Sequence, residues 1–216
     1  MSPPPAIVYL LDDEIGIVNA LTRLLRTEGW EVRGFTTPGA FLAAFRPEET
    51  NCLVLDVAMP GVGGLDFQRQ LAHAGILVPI VFLTGRGDIP TSVRALRAGA
   101  VDVLTKPVDA AALIRAVRTA LQRAADGRAL IAETAVLGAR LASLTPRERE
   151  VLHHVVAGKP NKQIASELGT GEQNVKVHRG RVMAKMGVSS VADLVRAAEK
   201  LGRDSGPAFG RADVKP

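Results

Sequence analysis

The chain has 216 residues, 47% of them hydrophobic and 23% charged, which fits one or two ordinary soluble domains. Aromatic residues make up only 4% and Cys52 is the single cysteine, so the core is aliphatic and a disulfide framework within the chain is excluded. The net charge of +5 is unevenly placed: residues 6–123 hold twelve basic and twelve acidic side chains, whereas residues 141–203 hold eleven basic and six acidic ones, which points to an anionic partner for the second half.

No segment is apolar enough to span a bilayer, since the longest such stretch, Ile76 to Leu83, falls far short of the roughly 20 residues required. The N-terminus, Met1 to Ala6, lacks a basic region of the signal-peptide kind. A cytoplasmic protein without a membrane partner is expected, and Cys52, inside an apolar run, reads as a small buried hydrophobe.

The first half alternates short β-branched runs with helical patterns. The runs are Ala6–Leu11, Glu31–Phe35, Cys52–Asp56, Ile80–Thr84 and Asp102–Leu104. Ile15, Val18, Leu21, Leu24 and Leu25 mark a first helix expected to end near Gly29, and Leu113, Ile114, Val117 and Leu121 mark the last one. Five strands alternating with helices predict a doubly wound parallel α/β sheet. Residues 1–123 are assigned to this unit. Residues 124–142, rich in Ala, Gly and Leu, read as a linker that is partly helical. Residues 143–203 carry only helical patterns, and residues 204–216 have the composition of a disordered tail.

In a parallel α/β sheet, functional groups gather at the carboxyl ends of the strands, where the strand order reverses. Here those ends carry Asp12 and Asp13, then Asp56, then Thr84, then Lys106 before Pro107. Taken singly, each has an ordinary reading as a cap, a turn or a strand residue. Together they are specific. Three converging carboxylates repel one another and call for a cation, and oxygen ligands with open water positions suit Mg2+. One carboxylate then serves as a nucleophile toward a phosphoryl group, whose oxygens a Thr hydroxyl and a Lys ammonium bind.

Leu10-Leu-Asp12-Asp13-Glu14, Leu55-Asp56 with Met59-Pro60-Gly61, Leu83-Thr84-Gly85 and Lys106-Pro107 resemble the receiver domain of response regulators over about residues 6–122. The resemblance implies a flavodoxin-like (βα)5 fold with Asp56 as phosphoacceptor. It places Asp12 and Asp13 in an acidic Mg2+ pocket, Asp13 being the more direct ligand, with the Ala58 backbone carbonyl completing the metal set. Thr84 and Lys106 would contact the phosphoryl group, and the donor would be a sensor histidine kinase. Val103 stands where such domains often carry Phe or Tyr, so an aromatic ring swing cannot accompany movement of Thr84. Val108 replaces a common Phe. Ala58 cannot position a hydrolytic water through its side chain and Arg86 could shield the site, which predicts slow self-dephosphorylation.

In the second half, Thr145 reads as an N-cap, Pro146 as a first helical residue and Glu148 as the partner of a capping box. Val151, Leu152, Val155 and Val156 form a core face, which Gly158 and Pro160 end. Asn161 is expected to cap a short second helix carrying Ile164, Ala165 and Leu168. A turn at Gly169-Thr170-Gly171 leads to a third helix from Glu172, buried through Val175, Val182 and Met186. Ser190 is expected to cap a fourth, carrying Leu194, Val195, Ala198 and Leu201. A short helix, a Gly turn and a basic-faced helix make a helix-turn-helix, although a small helical interaction domain with solvated lysines shares that composition. The outward face of the third helix carries Gln173, Val177, Gly180 and Ala184, flanked by Lys176 and Arg181, with Lys185 further round. Gln, Lys and Arg can read base edges and Val177 a thymine methyl. Lys159, Lys162 and Arg179 are candidate phosphate contacts.

Leu144-Thr with Arg147-Glu148 and Glu150-Val151-Leu152, Asn161-Lys162 with Ile164-Ala165, Asn174 through His178, and Lys185 through Val188 resemble the LuxR-type helix-turn-helix. The whole chain is thereby similar to the NarL/FixJ class of two-component response regulators. This implies a small all-α four-helix domain, a recognition helix that adds Asn174 to the candidate DNA contacts, a fourth helix in dimer contact, and double-stranded DNA with an inverted repeat as partner. The expected protein is a regulator rather than an enzyme, dimeric when phosphorylated. The alternative is a phosphorylation-independent DNA-binding regulator with a vestigial receiver. An aspartyl-phosphate phosphatase is disfavoured because its nucleophile motif follows strand one.

Overall fold

The computed structural model describes residues 6–85 and 89–204; Arg86 and the tail at 205–216, both subjects of expectation above, lie outside the described residues. The chain forms two compact units that divide between Arg128 and Ala129.

The first unit is a five-stranded parallel sheet of β1 (Ile7–Leu11), β2 (Glu31–Phe35), β3 (Asn51–Asp56), β4 (Ile80–Thr84) and β5 (Asp102–Thr105). The spatial order is β2-β1-β3-β4-β5, and every pair is parallel. Strand order reverses between β1 and β3. The helices between the strands are α1 (Ile15–Arg26), α2 (Pro38–Ala44), α3 (Gly64–His73) and α4 (Ile89–Arg97), and α5 (Ala110–Ala142) follows β5.

Side chains alternate faces along a strand, and helices cover both faces, so β1, β3 and β4 are buried at every position. One face gathers Val8, Leu10, Val54, Val81 and Leu83 with Leu21 and Leu25 of α1 and Leu113, Val117 and Leu121 of α5. The other gathers Ile7, Tyr9, Leu11, Leu53, Leu55 and Phe82 with Phe41 of α2, Phe67 and Leu71 of α3 and Ala95 of α4. Most of the few aromatic rings meet on this second face. Tyr9 packs edge-on to Phe41 at 5.3 Å, and its hydroxyl accepts the Arg46 amide at 3.1 Å, which satisfies a polar group that burial would otherwise strand. Cys52 is fully buried on the first face, where burial pushes its thiol up.

α1 ends earlier than expected: its last helical residue is Arg26, and Gly29 closes the following turn in the left-handed region at φ 82°. Residues 124–142 are helical throughout, as part of α5, because the segment is rich in strong helix formers and free of proline.

The second unit contains the end of α5, then α6 (Pro146–Val156), α7 (Asn161–Glu167), α8 (Glu172–Met186) and α9 (Val191–Asp204). Their shared core is Leu137, Leu144, Val151, Leu152, Val155, Ile164, Val175, Val182, Met186, Leu194, Ala197 and Leu201. The Thr145–Glu148 capping box forms in both directions, at 3.3 and 2.9 Å. Ser190 caps α9 by accepting the Asp193 amide at 3.1 Å. Asn161 does not cap α7: Pro160 holds the N-cap position, and the Asn161 side chain instead accepts from Arg179 at 2.9 Å.

Glu148 is the one buried acid of this unit among the described residues. The hydrogen bond from Lys185 and then the Thr145 amide hold its carboxyl down at about 2, against an ordinary 4.5. A carboxyl lowered by folding stabilises fully above its unfolded value and loses that contribution as pH falls through the folded one. The thermal midpoint of the second unit is therefore expected to fall between about pH 5 and pH 2, and Glu148→Gln to flatten that part of the profile; an unchanged profile, followed by circular dichroism, would refute the assignment.

Candidate functional site

The β1–β3 register pairs Leu11 with Leu55, so the residues that follow, Asp12 and Asp56, emerge side by side at the reversal of strand order. Asp13 joins them, and oxygen atoms of the three carboxylates lie within 4.8 Å of one another. Asp12 and Asp56 are buried, at 1% and 3% exposure, while Asp13 is open to solvent. Lys106 arrives from the end of β5, tied down by its amide, which donates to the Thr84 carbonyl at 2.7 Å. Its Nζ lies 2.7 Å from Asp12, 3.0 Å from Asp56 and 3.9 Å from Glu14. The Lys106–Pro107 peptide is cis.

Burial raises the Asp56 carboxyl above its ordinary value and the Asp12 charge adds to that, with Lys106 and the Ala58 amide opposing. Burial alone would lower the Lys106 ammonium, but its hydrogen bonds to Asp12 and Asp56 outweigh burial and raise it. One ammonium is thus shared by two buried carboxylates, with two more acids beside them. This excess of negative charge with an all-oxygen donor set fits a divalent cation of the Mg2+ kind. Both oxygens of Asp12 are already used, one accepting from Lys106 and the other from the Glu14 amide at 2.9 Å, and Asp56 accepts from Lys106 and the Ala58 amide, which leaves the solvent-open Asp13 the freest ligand.

Thr84 is buried at the end of β4, one residue beyond the Leu83 that pairs with Asp56. Val103 is half-buried on β5, opposite Phe82, and packs into the second core face. Sequence reasoning assigned no role to Gly64. Its amide donates to the Val57 carbonyl at 2.9 Å, and a side chain there would meet the Asp56 carbonyl at 2.4 Å. The signal that could have found it is the Gly63-Gly64 pair at the N-cap and first position of α3, because a glycine inside a helix is disfavoured unless a close approach requires it. Glu14, which directly follows Asp13, stands at the rim of the cluster 3.9 Å from Lys106 Nζ.

In the second unit α7, the turn at Gly169 (φ 60°) and α8 form the helix-turn-helix. Gln173, Lys176, Val177 and Arg181 are exposed on α8 and Lys162 on α7. Other expected DNA contacts are engaged inside the domain. Arg179 donates to Asn161, Asn174 donates to the Thr170 hydroxyl at 3.2 Å, and Lys159 pairs with Glu167 at 2.5 Å. Lys185 donates to Glu148 at 2.7 Å and to the Ser143 carbonyl at 3.1 Å, so it holds the domain together rather than standing free on the recognition face.

A doubly wound sheet with an acidic cluster and a lysine at its reversal point, joined to a helix-turn-helix, is the arrangement of a response regulator with a DNA-binding domain. Residues 8–118 match the response regulator receiver domain family, and residues 142–198 match the bacterial regulatory proteins of the luxR family. The chain is 45% identical to nodulation protein W of Bradyrhizobium diazoefficiens over 91% of its length and 87% of that protein's. It is 44% identical to response regulator protein TodT of Pseudomonas putida (93% and 88% covered) and 42% identical to transcriptional regulatory protein FixJ of Azorhizobium caulinodans (88% and 90% covered). Among solved structures it is similar to response regulator StyR, at 43% identity and TM-score 0.80 over 91% of this chain and 100% of that one. It is also similar to full-length FixJ from B. japonicum, at 35% identity and TM-score 0.56 over 94% and 99%. The chain belongs to the two-component response regulators of the NarL/FixJ class, transcription regulators with a receiver domain and a LuxR-type DNA-binding domain. Among the described residues no helix is long and apolar enough to cross a membrane.

Two glycines yield opposite expectations. Gly64→Ala drives a methyl group into the Asp56 backbone, which cannot step aside, and is expected to cost roughly 1–3 kcal/mol in urea unfolding. Gly180→Ala on α8 meets open space and is expected to stabilise the second unit by about 0.5–1 kcal/mol, the usual helix-interior difference. If the bare backbone at Gly180 serves close approach to DNA, the same variant binds DNA more weakly.

Proposed function

We propose that Asp56 accepts a phosphoryl group from the phosphohistidine of a sensor histidine kinase, and that this controls dimerisation and promoter binding by the second unit. The observation that carries the reading is the convergence of Asp12, Asp13 and Asp56, two of which, Asp12 and Asp56, share the Lys106 ammonium. Mg2+, held by Asp13, Asp56 and the Ala58 carbonyl with Asp12 behind them, would neutralise the cluster and orient the incoming phosphoryl oxygens. The Asp56 carboxylate attacks phosphorus and the histidine nitrogen leaves, giving an acyl phosphate. Lys106, already within 3.0 Å of Asp56, binds a phosphoryl oxygen as a point charge, and the Thr84 hydroxyl binds another.

The switch is a two-state equilibrium biased by these contacts. Exposed Val93 and Leu96 on α4, beside the partly exposed edge strand β5, support a receiver surface that pairs with a second copy. Two copies would then place two recognition helices on an inverted repeat of double-stranded DNA. Gln173, Lys176, Val177 and Arg181 are the readers, with Lys162 on phosphate; Asn174, Arg179 and Lys185 contribute by orienting α7 and α8. The boundaries proposed are receiver 1–123, linker 124–142, DNA-binding domain 143–203 and tail 204–216, with Leu137 of the linker packed in the core of the second unit and Asp204 the last residue of α9. A cytoplasmic location fits the lone buried Cys52.

Acetyl phosphate with Mg2+ is expected to add one phosphoryl group to the wild-type chain by intact mass, with none added to Asp56→Asn or in the presence of EDTA. Lys106→Ala is expected to accept the group yet lose phosphorylation-dependent promoter activation, so activation persisting in Lys106→Ala would sink the switch, and labelling of Asp56→Asn would sink the site.

A further inference from the structure

The recognition helix ends at Met186, and the last carbonyls of any helix lack partners within it. Gly187, in the left-handed region at φ 66°, turns the chain so that its own amide reaches the Ala184 carbonyl and the Val188 amide reaches that of Met183, each at 3.1 Å. The Met186 carbonyl is satisfied from elsewhere: Arg140, near the end of α5, donates to it from Nη1 at 3.0 Å. The guanidinium lies so close over Gly187 that a side chain there would sit 2.6 Å from Nη1 and 2.8 Å from Cζ. A cation in this place also opposes the negative end of the helix dipole.

A second tie reinforces the first. Lys185 reaches the Ser143 carbonyl and the Glu148 carboxylate, and Glu148 is itself fixed by the capping box of α6. The last turn of α8 is therefore held by the end of α5 and the start of α6. Its middle is held by Arg179 on Asn161. The exposed readers Gln173, Lys176, Val177 and Arg181 all precede the C-terminal clamp. Base contacts tolerate displacements of only about 0.5 Å, so what fixes the axis and pitch of α8 bears on sequence discrimination.

We propose that Arg140 is a positioning residue for DNA recognition, acting through the end of the recognition helix and not by contact with phosphate. This rests on the reading of α8 as the recognition helix. By composition Arg140 is one more exposed base in a basic domain, the kind of side chain usually assigned to the DNA backbone. Its planar guanidinium does two things at once: it donates to Met186 and covers Gly187. A lysine, with a point charge on a flexible stem, cannot do both.

The test uses the full chain treated with acetyl phosphate, a duplex selected from a randomised pool by the wild type, and a scrambled duplex of equal length. Affinities are measured across a series of salt concentrations for wild type, Arg140→Gln and Arg140→Lys. Both variants are expected to lose about tenfold on the selected duplex, the order of one lost base contact, and little on the scrambled one. The slope of log affinity against log salt should stay at its wild-type value. The lysine variant, which keeps the charge, guards against a glutamine variant that fails to fold. Full recovery of the selected-to-scrambled ratio in Arg140→Lys would overturn the proposal. So would equal losses on both duplexes with the salt slope reduced by about one, which marks a lost phosphate contact. A wild type that prefers no duplex over its scrambled form would overturn the DNA-binding reading and this one with it.

Discussion

Two carboxylates taken out of water beside each other, with one ammonium between them, form the constraint around which the first unit is built. Asp12 and Asp56 repel, and burial penalises the charge on each. Lys106 makes the arrangement tenable by bonding to both at 2.7 and 3.0 Å. The sheet holds the three in place because each stands at the end of a strand whose preceding residues are locked into a hydrophobic ladder. A site balanced in this way responds strongly to any change of charge at Asp56.

Close packing extends this constraint to the backbone. Gly64 lets the first turn of α3 press against the Asp56 carbonyl, and the Val57 amide reaches across to the Leu83 carbonyl of β4. The acceptor loop is thus anchored from two elements, while Lys106 is anchored from β4 through Thr84. Chemistry at the strand ends rests on a scaffold of buried aliphatic side chains whose only task is to keep the register.

The second unit solves a different problem, that of presenting a rigid face from a small core. Its buried residues fix α8 at Val175, Val182 and Met186, and polar ties at the helix ends do the remainder. Basic side chains are divided between two tasks. Lys185, Arg140, Arg147 and Arg179 bond to carbonyls or side chains within the unit. Lys176, Arg181 and Lys162 make no ion pair among the described residues and stand on the exposed face. Net charge alone cannot separate these groups, because a cation facing solvent and a cation capping a helix contribute equally to it.

Much of this was written in the sequence. Short β-branched apolar runs set the five strands to within a residue at each end, and Asp12, Asp13, Asp56, Thr84 and Lys106 fall at or just beyond those ends. The Thr145–Glu148 box and the Ser190 cap were legible because local hydrogen bonds depend on spacing along the chain. What depended on partners far away in sequence was not: Asn161 serving Arg179 instead of capping α7, Lys185 turned inward to Glu148, Gly64 pressed on Asp56, Arg140 covering Gly187. Helix and strand identity follow from short-range sterics and from which face must be apolar, both carried by neighbouring residues. The choice among competing donors and acceptors is made only when the tertiary fold brings distant groups within hydrogen-bonding reach, and that choice decided which cations bind the protein itself and which are left exposed to solvent.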